Sequence, residues 1–294
     1  MQYILENKEL QATFRTQSAE LVSLVRKSDG KELMWHGDPA YWGWSSPVLF
    51  PFVGSVLDKT YRYRGKEYHV NQHGFARNRE FELVSQNEKE LVFRLTDCDA
   101  TREIYPFAFC LDIQYVLEDS RLTVNWIVKN PAGENMYFSI GAHPAFLAPL
   151  AAGEKQSDGY LCFPDVKEDE LTYHRIDLSV GGIAPEKYIL PVKDGKCRIQ
   201  EGMFDKDALI FEDRQAKSLG LAGGDGKPYV MLHFDTPLFG IWSPAGKQAP
   251  FICLEPWYGR SDAVGFSGSL EEREYEMCLE PQEEFHGGYV IEVF

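Results

Sequence analysis

The sequence predicts an all-β fold of stacked antiparallel sheets, a large sandwich or barrel-like sandwich, on three observations. Apolar and polar residues alternate through one short stretch after another. Turns containing Gly and Pro separate those stretches. No segment carries a long, well-capped 3.6-residue period, so helices are expected to be few and short.

Taken in order, a first hairpin sets Tyr61 and Tyr63 against Tyr68 and Val70 across Arg64-Gly65-Lys66. Short strands follow at Phe81–Val84 and Leu91–Leu95. The clearest hairpin comes next. Phe109, Leu111, Ile113, Tyr115 and Leu117 alternate with Cys110, Asp112, Gln114 and Val116. After a turn at Glu118-Asp119-Ser120, Leu122, Val124, Trp126 and Val128 alternate again, which predicts one buried face. Further strands are predicted at Tyr137–Ile140, Ala208–Phe211, Tyr229–Phe234, Phe251–Leu254 and Tyr289–Val293. The polar stretch 151–159 reads as a loop and not a linker. The last residues read as a core strand, so both chain ends are expected in one domain covering 1–294.

Composition narrows the function. Of 294 residues, 45 are Asp or Glu and 30 are Lys or Arg, a net charge of −15. That balance argues against nucleic acid or an anionic membrane surface as partner, since both need clustered cations. The amino terminus lacks the basic patch and apolar core of a signal peptide, and no apolar run reaches the roughly 20 residues of a membrane span. The six cysteines are scattered with no Cys-x-x-Cys pair, and several sit inside predicted strands. A reduced, cytoplasmic protein is expected.

Three residues stand in unusually specific settings: His73 in Gln72-His73-Gly74-Phe75-Ala76-Arg77, His143 in Gly141-Ala142-His143-Pro144, and Glu255 in Phe251-Ile252-Cys253-Leu254-Glu255-Pro256-Trp257. Proline biases the residue before it towards extended backbone and cannot donate a ladder hydrogen bond. His143 and Glu255 are therefore expected as the last residues of strands, at the rim of a cleft. A carboxylate after four apolar residues is expected to be partly buried and more basic than usual. The bland readings are a turn histidine, a packed histidine and a salt-bridged glutamate. The combination of candidate acid, candidate base and the flat face of Trp257 favours proton transfer at a hemiacetal or two-group hydrolysis of a glycoside. For hydrolysis a second carboxylate is needed, and Asp207 and Asp262 are the candidates. No Gly-x-Ser-x-Gly elbow, Walker or dinucleotide glycine pattern is present; Gly223-Gly224-Asp225-Gly226 precedes a strand and lacks the third spaced glycine. His69 and His73 are four apart, too far on a strand for tight shared ligation, so no metal or cofactor is expected.

At these residues the sequence resembles the aldose 1-epimerase (galactose mutarotase) family, nearest its LacX-type branch. Leu49-Phe50-Pro51-Phe52-Val53-Gly54 and His73-Gly74-Phe75-Ala76-Arg77 carry the likeness, with Gly141–Pro144 and Leu254–Trp257 further on. The resemblance implies a large twisted antiparallel β-sandwich with a sugar in a cleft on one sheet. It implies Glu255 as general base at the anomeric hydroxyl, His143 as general acid at the ring oxygen, and His73 as the second histidine on the sugar. Asp207 matches the aspartate that binds sugar hydroxyls, and Arg77 is the candidate cation for substrate. Ser55 stands where many members carry arginine, and Phe75 where galactose-specific members carry a second glycine. The expected partner is a small sugar, free or phosphorylated. A carbohydrate-binding or regulatory protein with the same cleft remains the alternative.

Overall fold

In the computed structural model, which describes residues 1–151 and 153–294, two large antiparallel sheets dominate. A nine-stranded sheet runs in the spatial order Lys196–Arg198, Tyr160–Cys162, Ser218–Ala222, Pro228–Phe234, Glu284–Val293, Arg121–Lys129, Cys110–Glu118, Glu90–Thr96 and Glu82–Gln86. A second sheet orders Leu209–Phe211, Leu238–Trp242, Phe251–Tyr258, Ile140–Ala142 and Val48–Leu49, with Ala145–Leu147 also pairing to Phe251–Tyr258. A four-stranded sheet at the amino end, Gln2–Glu6 to Lys31–Glu32, adds a further layer. Among the described residues the α-helical content is a single four-residue turn, Asp99–Arg102, and no helix is long and apolar enough to cross a membrane.

The alternation read from the sequence explains the packing. Leu111, Ile113, Tyr115 and Leu117 are buried, as are Leu122, Val124, Trp126 and Val128 across the hairpin. Asp112 is buried too, on the other face, where Arg94 grips it through two hydrogen bonds of 2.6 and 2.7 Å. Facing this sheet, Ile252 and Leu254 alternate inward with Phe239 and Ile241, and Trp126 meets Tyr258 edge-on at 6.4 Å. Burial of such side chains contributes roughly 1.5–3 kcal/mol each against exposure. The final strand, Glu284–Val293, lies inside the nine-stranded sheet between Pro228–Phe234 and Arg121–Lys129, as its sequence predicts.

Local chemistry sets the turns. Arg64 and Gly65 both take positive φ, 50° and 74°, the mirror-image turn that matches strand twist, and Tyr61 stacks on Tyr68 at 5.3 Å. The predicted strand at 137–140 divides into Met136–Phe138 and Ile140–Ala142. Ser139 marks the break, with its N–H donating to Pro51 and its hydroxyl to Glu276. Of the predicted loop at 151–159, Ala152 lies outside the described residues; the remainder is turn plus the 3-10 segment Gln156–Asp158.

Candidate active site

Strand Phe251–Tyr258 is the spine of the site. Ile252 and Leu254 point to the main core, so the period of two sends Phe251, Cys253, Glu255 and Trp257 to the opposite face. That face is covered as well, which is why the residues before Glu255 are apolar without a polar alternation. Glu255 is not the last residue of a strand as expected; the strand continues through Pro256 to Tyr258. The reason lies in its neighbour. Gly141 pairs with Trp257 and Ala145 pairs with Cys253, so residues 142–144 lie opposite 254–256 in unbroken register. Pro144 and Pro256 both fall in that interval, so the two missing N–H groups coincide with one opening in the ladder. The Leu254 N–H still donates to the Pro144 carbonyl at 3.1 Å. His143 is not the last residue of a strand either; it is the first residue after strand Ile140–Ala142, in the two-residue gap before Ala145–Leu147.

This register puts His143 opposite Glu255, with Nε2 3.2 Å from Oε2. The contact is close but not aligned as a hydrogen bond, and both Glu255 Oε2 and His143 Nδ1 are buried without a partner. Trp42 stacks on the His143 ring at 4.6 Å and Trp242 meets it edge-on at 5.5 Å.

His73 comes from a loop tied to the Phe50–Gly54 segment by hydrogen bonds. Its N–H donates to Gly54 O at 2.7 Å, and the Gly54 N–H donates back to Nδ1 at 3.1 Å. Nδ1 is thus an acceptor, so the neutral ring carries its proton on Nε2. The ring lies edge-on to His143 with centroids 5.6 Å apart. His73 and Gly74 both take positive φ, 65° and 69°. A Cβ on Gly74 would sit 2.4 Å from the Phe50 carbonyl oxygen, so glycine is required there.

The six residues singled out from the sequence line one cleft of about 530 Å³. Arg77, on the 3-10 turn Ala76–Asn78, donates to the Gln72 carbonyl at 2.9 Å and lies over the Trp44 ring, with no carboxylate partner among the described residues. Asp207 precedes strand Leu209–Phe211 with φ 71° and accepts the Ala208 N–H at 2.8 Å. Trp257 lies against Gly141 and Gly240, where a Cβ would approach its ring to 2.6 and 2.4 Å. It is only 5% exposed and packs on Leu49, Val53 and Leu238, so it is a wall and not the open stacking face expected. The more accessible aromatic surfaces are Trp42, Trp44 and Trp242, which the sequence reading missed. Two tryptophans flanking a glycine, Trp42-Gly43-Trp44, were the available signal. Asp262 is committed elsewhere, to Arg273 at 2.7 Å and the Leu57 N–H at 2.9 Å. His69 is exposed and paired to Thr60, apart from the cleft.

Burial drives the electrostatics. It raises the Glu255 carboxyl well above its ordinary range, the negative charge of Asp207 adds to that, and the Trp257 indole N–H opposes it weakly. Burial, then the charge of Arg77, lowers His143 to about 3. His73 is held well below its ordinary value by burial, then by His143 and Arg77. Burial thus disfavours the charged form of both groups, pushing the Glu255 carboxyl up and the His143 imidazole down.

An aldose 1-epimerase family profile matches residues 1–168. The plasmid-encoded protein LacX of Lactococcus lactis subsp. lactis is 30% identical over 284 residues, 92% of this chain and 91% of LacX. This chain belongs to the aldose 1-epimerase family. Among solved structures, a galactose mutarotase related enzyme from Lactobacillus acidophilus shares 32% identity at a TM-score of 0.94, covering 100% of this chain and 97% of that one. A galactose mutarotase-like protein from Lactobacillus casei shares 27% identity at a TM-score of 0.91, with both chains covered completely. The twisted antiparallel β-sandwich of aldose 1-epimerases is therefore the fold of this chain.

Proposed function

We propose that this protein is a mutarotase that interconverts the α and β anomers of an aldose by acid–base ring opening and reclosure. One observation carries the reading: a buried His143–Glu255 pair, 3.2 Å apart, that opens onto a cleft. The reactive form is Glu255 as carboxylate and His143 as imidazolium. Glu255 then takes the anomeric hydroxyl proton while His143 protonates the ring oxygen, and the C1–ring oxygen bond breaks to the open-chain aldehyde. Rotation about C1–C2 and reclosure on the other face returns both protons with the roles reversed. His73 donates its Nε2–H to a sugar oxygen, and Asp207 accepts from sugar hydroxyls. Both proton transfers are met by side chains, so the reaction calls for no cofactor. Water-exclusion comes from Trp42, Trp44 and Trp242 around the pair. Anomer exchange measured by NMR or polarimetry across free and phosphorylated aldoses tests the reading. Sugar binding without exchange above the spontaneous rate would replace it with the binding-protein alternative.

A further inference from the structure

Beneath the His143–Glu255 pair lies a third group that proton transfer does not use. Cys253 is two residues before Glu255 on the same strand, so both side chains leave the same face. One ligand atom each from His143, Cys253 and Glu255 lie within 4.8 Å of one another. All three residues are buried, at 6%, 0% and 1% exposure. His143 Nδ1 and Glu255 Oε2, two buried atoms of this group, have no hydrogen-bond partner, an arrangement that costs free energy in the empty protein.

We infer that His143, Cys253 and Glu255 form an inhibitory site for a thiophilic divalent cation such as zinc. The inference rests on the reading that His143 and Glu255 carry the reaction. Imidazole, thiolate and carboxylate are the three ligand types zinc takes, with bonds of about 2.0–2.3 Å. A tetrahedron with those bonds places ligand atoms roughly 3.3–3.8 Å apart, so the cluster closes on the ion by about 1 Å of side-chain adjustment. His143 and Glu255 line the cleft, the side from which water or a sugar oxygen would complete the ligand set. Binding requires the thiolate and the carboxylate, so it releases the thiol proton and any proton held on Glu255. The cation's two charges are then balanced by thiolate and carboxylate, leaving no net charge buried. No electron moves. The bound ion occupies both proton-transfer groups, so anomer exchange stops, and affinity rises with pH because protons are released.

The test uses metal-free protein carrying Cys98→Ser and Cys278→Ser, which removes the two exposed thiols. Cobalt(II) titration reads ligation directly. One equivalent should bind and give a thiolate-to-cobalt charge-transfer band in the near ultraviolet. Zinc should inhibit exchange stoichiometrically, and a chelator should restore it. Adding Cys253→Ser, or Cys253→Ala should the serine variant fold poorly, should abolish the band. It should also weaken inhibition, relative to that variant's own metal-free rate, by more than the roughly 10–100-fold that losing an outer-shell partner costs. A wild-type complex without the thiolate band overturns the site, as does equal inhibition of the Cys253 variant. A thiolate band with undiminished exchange would keep the metal site and remove His143 and Glu255 from catalysis, so the two failures are distinct.

Discussion

His143 stands across from Glu255 in the register that pairs Gly141 with Trp257 and Ala145 with Cys253, with a proline after each of the two. The sheet holds the pair as rigidly as any cross-strand couple, yet its ladder is open at that point. Rigid placement with unpaired polar atoms is what acid–base chemistry on a bound ligand needs. The pair's surroundings then decide its proton count, and that makes a prediction about pH.

An unperturbed glutamate and histidine would hold one proton between about pH 4.5 and 6.5. Here burial lowers the histidine to about 3 and raises the glutamate well above its ordinary value. Falling pH protonates His143 only near 3, and rising pH ionises Glu255 only beyond the usual carboxylate range. The pH profile of kcat/KM, which reports the free enzyme, should therefore have its acid limb near 3 and its alkaline limb above the ordinary carboxylate value. An acid limb at 4.5 or above, removed by His143→Asn, would contradict the arrangement.

The loop that carries His73 gives a stability prediction with its own control. Gly74→Ala adds a Cβ 2.4 Å from a backbone carbonyl at φ 69°, whereas Gly65→Ala meets the same sign of φ (74°) in open space. Left-handed strain alone costs roughly 1–2 kcal/mol, and overpacking adds about 1–3 kcal/mol. Denaturant melts should show Gly65→Ala losing only the first amount and Gly74→Ala about 2–5 kcal/mol. Equal losses would mean that the Phe50 carbonyl yields freely.

Much of the fold was readable because strand alternation is local. The hairpin Cys110–Lys129 has one buried face wherever the rest of the chain lies. The site residues were readable as types in unusual company, His143 and Glu255 each before a proline. What proline did to Glu255 was not. Whether Pro256 ends a strand depends on Pro144, a hundred residues away, opening the ladder at the same point. Trp42 and Trp44 were missed for a related reason. They belong to a loop with no alternation to read, and only tertiary packing sets Trp42 on the His143 ring. The charge of Asp207 likewise acts on Glu255 across an intervening strand, Leu238–Trp242, which is a property of sheet order and not of sequence spacing.

Exchange should not need a metal, since both proton transfers lie within reach of side chains. Dialysis against a strong chelator is expected to leave the rate unchanged, or to raise it where thiophilic metal was present. Loss of exchange that zinc restores would overturn the acid–base reading.

Substrate charge is the next prediction. Arg77 is the cation of the cleft without a carboxylate partner, and it shares the cleft with the carboxylate of Asp207 and with Ser55. One guanidinium beside a carboxylate is a poor phosphate grip, which ordinarily uses bidentate arginine with clustered cations. Free hexoses should therefore turn over with kcat/KM at least equal to that of their 6-phosphates. A strong preference for phosphorylated sugars, erased by Arg77→Ala, would show that Arg77 is such a grip after all.

The acid–base pair makes the last prediction. Glu255→Gln keeps the shape and removes the base; His143→Asn removes the proton donor and keeps hydrogen-bonding capacity. Each change should slow exchange by about 10²–10⁴ while the fold persists, since general acid–base groups contribute on that order. The two act on one substrate in one step, so neither works alone. The double variant should therefore fall little below the worse single variant, far short of the product of both losses. His73→Ala should behave differently. It removes a hydrogen bond to substrate and leaves the Gly54 N–H unpaired, so its loss should add to that of Glu255→Gln more fully than the loss from His143→Asn does, while its edge-on contact couples it to His143. The deciding measurement is exchange in folded Glu255→Gln protein, with the spontaneous rate in the same buffer subtracted. Activity close to the parent protein would place the base elsewhere and make Glu255 a buried structural acid.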